Sequence, residues 1–151
     1  MSAQTLKPAV TRLYDQDFVA WAEVTAHLIR QGRFDQIDAE DLAEEVEFMA
    51  RKDRLEVRSR LRVLLVHLLK WKCQPAKRCR SWELTIDTQR AKLQDAFEES
   101  PSLRRGVQES IQQGYLRAVR RAGLETRLDA RAFPSECPFS VEQILDEDFL
   151  P

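Results

Sequence analysis

A chain of 151 residues with net charge −1, 43% hydrophobic and 32% charged residues has the size and balance of one ordinary globular domain. That balance excludes an intrinsically disordered chain, and no apolar run approaches the ~20 residues that a bilayer-spanning helix needs. Four glycines and six prolines leave few turn signals, which favours long helices over a sheet.

Residues 1–12 read as a flexible N-terminal segment without the apolar stretch of a secretion signal, and 13–151 as a single all-helical domain. A first helix is predicted over about 15–31, with Phe18, Trp21, Ala22, Thr25, Leu28 and Ile29 at three- and four-residue spacing on an inward face. Gly32 stands where a left-handed C-terminal cap belongs. A second helix opens at Asp38, an N-cap, with Glu40 and Asp41 near the free N–H groups of its first turn and Ile37 stapled to Leu42. It meets no proline or glycine until Pro75, so it is predicted over about 39–74, ~54 Å at 1.5 Å per residue. Leu42, Val46, Met49, Val57, Leu61, Leu64, Leu65 and Leu68 form its apolar stripe, which Asp53 interrupts.

Ser81 is read as the N-cap of a third helix with Trp82, Ile86, Leu93 and Phe97 inward. Pro101 is read as the first residue of a fourth helix capped by Ser100, with Leu103, Val107, Ile111, Gly114, Tyr115, Ala118 and Ala122 inward. Gly114 suggests a close helix crossing and Gly123 a stop. Ser140 and Gln143 form a capping-box pattern before a short last helix, with Phe139 and Ile144 as its staple. The fold class is therefore all-α: a bundle of four main helices and a short C-terminal one, built around the long second helix.

Charge is segregated along the chain. Segment 35–47 carries seven acids and no base, 51–82 carries eleven bases against Asp53 and Glu56, and 136–151 carries five acids and no base. Acidic and basic blocks lying side by side in the fold account for this more simply than a polyanion-binding face, since a near-neutral total gives no global attraction to phosphate. Three cysteines in no framework spacing suit reduced thiols in a cytoplasmic protein.

The segments "LYDQDFVAWA" (13–22), "DLAEEVE" (41–47), "RLRVLLVHLLKW" (60–71), "QP" (74–75), "SW" (81–82), "FPSECPF" (133–139) and "QILDEDFLP" (143–151) resemble, in this order, the bacterial family catalogued as domain of unknown function 29. The resemblance spans nearly the whole chain. It implies an all-helical domain and no established activity. His27 departs from the family pattern, in which that face of the first helix carries an aliphatic or polar residue.

Three constellations bear on chemistry. His67, Cys73 and Cys79 are spaced six apart, about 240° of helix rotation per step, which points His67 and Cys73 to different faces; no metal is assigned to them. Glu23, His27, Glu44 and Glu47 would come together if the first two helices form an antiparallel hairpin. They are the candidate metal or acid/base cluster, although a second Glu–His pair is missing. Lys70, Trp71, Lys72, Lys77, Arg78, Arg80 and Trp82 surround the proline turn and offer cations and stacking rings to a single-stranded nucleic acid. Both tryptophans, however, stand at core-stripe positions. No glycine-rich phosphate loop and no paired nucleophile and base are present. The sequence thus reads as a cytoplasmic protein-interaction or oligomeric module with self or another protein as partner, without a cofactor, and weighs against an enzyme. Nucleic-acid binding at 70–82 and the Glu23/His27/Glu44/Glu47 site are its alternatives.

Overall fold

The computed structural model describes residues 7–151 and is helical throughout, with no strand among the described residues. Six α-helices follow in chain order: α1 Lys7–Gln16, α2 Phe18–Arg30, α3 Ala39–Cys73, α4 Arg80–Glu99, α5 Val107–Thr126 and α6 Val141–Leu145. None of the described helices is long and apolar enough to cross a membrane. The chain divides into two compact units, 1–52 and 53–151.

In the first unit, the single helix expected over 15–31 is two helices. Asp17 breaks the run: its backbone is non-helical (φ −152°, ψ 88°), and its carboxylate accepts from the Ala20 N–H at 3.0 Å, so it caps α2. The chain before it forms α1. The expectation of a flexible segment over 1–12 falls partly on 1–6, outside the described residues, while α1 starts at Lys7. Gly32 takes the left-handed conformation predicted for it (φ 70°). The Gly32 and Arg33 N–H groups bond the carbonyls of Ile29 and Leu28, closing α2 in a Schellman motif. Trp21 and Leu28 join Val10 and Ile37 in a small core, whereas Phe18 and Ile29, expected inside, are exposed. With α1 supplying Val10, Leu13 and Tyr14, a narrower face of α2 suffices to close that core.

The α3 helix ends one residue before its predicted limit and runs uninterrupted from Ala39 to Cys73. Asp38 caps its start, with the Glu40 N–H donating to the carboxylate at 3.1 Å. Its apolar stripe is buried from Val57 onward, but Val46 and Met49, predicted inside, are 60% and 66% exposed.

The second unit holds the main core. Leu61, Leu64, Leu65, Leu68 and Leu69 of α3 meet Ile86, Leu93 and Phe97 of α4, then Val107, Ile111, Tyr115, Ala118 and Ala122 of α5. Each leucine, isoleucine, valine or phenylalanine among them contributes about 1.5–3 kcal/mol on leaving water. Three local expectations are corrected here. Ser81 does not cap α4: Cys79 is the extended residue before it, and its carbonyl already accepts from Trp82 and Glu83. Pro101 starts a 3-10 stretch, Pro101–Gly106, and α5 begins only at Val107. Gly123 does not stop α5, which continues to Thr126 and ends on Arg127 in the left-handed region (φ 59°). Gly123 matters for the return loop instead, because a Cβ there would stand 3.1 Å from the Leu128 carbonyl.

The C-terminal segment is fixed from two sides. Tyr115 donates to the Pro134 carbonyl at 2.7 Å, with Phe133 and Phe139 buried nearby in the same core. Ser140 and Gln143 form the expected capping box, and Ile144 is fully buried.

Candidate functional site: an arginine-lined groove

Helices α3 and α5 carry two rows of arginine beside their buried stripes. On α3, Arg58 and Arg62 are one turn apart next to Val57, Leu61 and Leu65; on α5, Arg117 and Arg121 are one turn apart, with Arg120 adjoining, next to Ala118 and Ala122. Because residues four apart stand over one another on a helix, each row is a continuous ridge. Between the ridges lie two adjoining hollows. One, of about 480 Å³, is lined by Arg62, Arg117, Arg120 and Arg121 around Val63, Val66 and Leu124. The other, of about 300 Å³, shares Arg62 and Arg117 and adds Arg58, Leu55, Ser110 and Gln113. Gly114 opens onto it: a Cβ there would meet nothing within 4 Å, so the close crossing expected at this glycine is replaced by open space.

The acid at one end of the groove is already engaged. Glu125 accepts from Lys70 at 2.8 Å and from Arg121 at 2.7 Å. Burial works to raise its pKa, but the hydrogen bonds from Lys70 and Arg121 outweigh it and hold the carboxyl below its ordinary value. Arg58, Arg62, Arg117 and Arg120 are exposed, so the groove presents guanidiniums over an apolar floor. His67 sits in the same wall with Nδ1 2.9 Å from the Val63 carbonyl, and burial lowers its pKa below 6.5. It is therefore neutral near pH 7, with Nδ1 as the donor and Nε2 as the acceptor.

The proline turn singled out in the sequence has two of its cations engaged within the fold. Lys70 is buried, its side chain 7% exposed, and its ammonium lies over the Trp82 ring at 4.5 Å while bonding Glu125. Arg78 covers the Trp71 ring at 5.2 Å and donates to the carbonyls of Trp71 and Pro151. Two of the five cations and one face of each ring are thus absorbed by the fold; Lys72, Lys77 and Arg80 remain exposed.

A family model for the domain of unknown function DUF29 matches residues 13–150. The chain belongs to that family. No curated protein and no solved structure matches it.

In this DUF29 chain the four residues of the carboxylate candidate are all exposed. Glu23 and His27 are exposed on α2, and Glu44 and Glu47 are exposed on α3. Among the described residues no group of three or more His, Cys, Asp or Glu side chains could hold a metal ion. Glu44 has another partner: the Tyr14 hydroxyl donates to Glu45 at 2.8 Å and to Glu44 at 3.4 Å. The bond to Glu45 is the largest reason that the Tyr14 pKa is pushed up to about 12. The thiols of Cys73 and Cys137 are half-buried, and burial raises both, which keeps them protonated and poorly nucleophilic near neutral pH.

Proposed function

We propose that this DUF29 chain is a non-catalytic interaction module whose α3–α5 groove receives an acidic, amphipathic helical segment of a partner protein. The single observation that carries the proposal is that five arginines line two adjoining hollows, four of them around Val63, Val66 and Leu124. Like charges four apart, as at Arg58/Arg62 and Arg117/Arg121, weaken a helix by about 0.2–0.5 kcal/mol each, a cost that the Arg121–Glu125 pair offsets on α5. Guanidinium is the cation best suited to carboxylate: its planar fork pairs bidentately and is weakly hydrated. The apolar floor favours a partner that brings its own apolar side chains over a bare phosphate backbone, and a helix laid in a groove supplies both.

The test is fluorescence anisotropy of the full chain with two labelled probes at low and moderate salt. One is a designed helical peptide with Leu at i, i+3, i+4 and i+7 flanked by Glu; the other is a single-stranded oligonucleotide. Binding of the peptide, lost on Arg62→Ser/Arg117→Ser, supports the reading. Preference for the oligonucleotide, with the same loss, would move the function to nucleic acid, and no binding of either would remove it.

A further inference from the structure

The same helix that supplies one wall of the groove begins with a segment of opposite character. Residues 40–50 of α3 include Glu40, Asp41, Glu44, Glu45 and Glu47 and no base. Three large apolar side chains stand among them in solvent: Val46, Phe48 and Met49 are 60%, 53% and 66% exposed. Exposed acids beside exposed apolar groups on a formed helix are what the groove's composition calls for in an occupant.

We propose, on the footing that the groove binds an acidic helix, that the occupant is segment 40–50 of a second copy of this chain. Charge complementarity is the first support. The groove offers Arg58, Arg62, Arg117 and Arg120, while its one acid, Glu125, is satisfied by Lys70 and Arg121. Glu40, Glu44 and Glu47 are exposed on the segment, and the Tyr14 hydroxyl donates to Glu44 and Glu45 without removing their charge. Apolar complementarity is the second: Phe48, exposed one turn after Glu44 and on the same side of the helix, brings an apolar ring beside the acids to meet Val63 and Leu124. Pre-organisation is the third, because the segment is already helical within α3 and no ordering of the chain opposes docking. Net charge of −1 adds little long-range repulsion between copies, so association is governed by the local patches. Each copy carries one groove and one segment, and the contact is either closed in a pair or propagated in an open chain.

Sedimentation velocity of the full chain across the micromolar range, at low salt, tests this with two charge-reversed variants. Arg62→Glu/Arg117→Glu reverses the groove; Glu44→Lys/Glu47→Lys reverses the segment. Wild-type chain is expected to self-associate, each variant alone to associate at least about tenfold more weakly, and their equimolar mixture to recover association, since every groove then meets a segment of opposite sign. Far-UV circular dichroism verifies folding of both; if the groove variant unfolds, Arg120→Glu on an exposed side chain takes its place. A wild-type monomer over the whole range, or association that neither reversal weakens, overturns the proposal. The designed Glu/Leu peptide separates the two levels. If it binds a monomeric wild type and loses binding on Arg62→Ser/Arg117→Ser, the groove reading stands and only the second copy falls; if it does not bind, both fall.

Discussion

The ammonium of Lys70 lies 2.8 Å from the Glu125 carboxylate, joining α3 to α5 at the end of the arginine groove. A buried lysine needs a partner, because its charge is costly to desolvate alone. Glu125→Gln should therefore destabilise the chain by about 1–3 kcal/mol, the range for a hydrogen bond to a charged group left unmade. Lys70→Met should cost less, since it removes the charge together with its need for a partner. Urea unfolding of the two variants compares them directly.

Glu125 also gives a signed dependence on pH. Its folded pKa is below its ordinary 4.5, so its contribution is complete above that value and is lost as pH falls through the depressed one. His67 acts in a neighbouring window with the same slope. Its folded pKa is below 6.5, so the unfolded chain binds the proton more readily, and stability declines as pH falls below 6.5 toward the folded value. Replacing His67 by Gln should flatten the part of the stability profile just below pH 6.5 and leave the more acidic part to Glu125. Thermal unfolding midpoints across pH 4 to 8 resolve the two.

Arg90 is 3% exposed and donates from Nε to the Ile144 carbonyl at 2.9 Å and from its terminal nitrogens to the carbonyls of Gln143 and Glu147. It caps α6, a helix too short to hold itself. Arg90→Met should cost about 2–3 kcal/mol and speed amide exchange across 141–149 before the rest of the chain. Arg90→Lys should rescue little, as one ammonium cannot reach three carbonyls in that fork geometry. Equal protection of 141–149 in wild type and variant would show that the tail is held by Ile144 burial alone.

The residue that ends α5 is out of character for its backbone. Arg127 has φ 59°, a region that disfavours a side-chain-bearing residue by roughly 1–2 kcal/mol and that glycine enters freely. Arg127→Gly should raise stability by up to about 1 kcal/mol after the greater freedom of the unfolded glycine is set against it. Chemical denaturation with an unchanged slope is the readout.

What the sequence made legible follows the range of the physics involved. Caps and stops are local, so the bounds of α3, the Gly32 cap and the Ser140–Gln143 box could be read directly. The break at Asp17 was equally local and was masked by the continuous apolar pattern on both sides of it. Burial is not local. Val46 and Met49 continue the α3 stripe perfectly in period, and nothing in the period says that they stay exposed. Arg90 offered a clue that periodicity alone can supply, since it falls between Ile86 and Leu93 on the α4 core stripe, where a charged residue must find buried acceptors. The arginine groove had only its paired spacings, 58/62 and 117/121, to announce it. That two rows 55 residues or more apart in sequence face one hollow is a property of the α3–α5 packing. At the turn 70–82 the sequence showed the cations and rings together but not that Lys70 and Arg78 lie over Trp82 and Trp71.

The most direct measurement of the groove's role is a two-dimensional amide NMR titration of the full chain with the designed acidic Glu/Leu helix. The account predicts shifts centred on 58–67 and 117–125, weakening with added salt and abolished by Arg62→Ser/Arg117→Ser. Shifts centred instead on 72–80, or an unchanged spectrum at low salt, would contradict it.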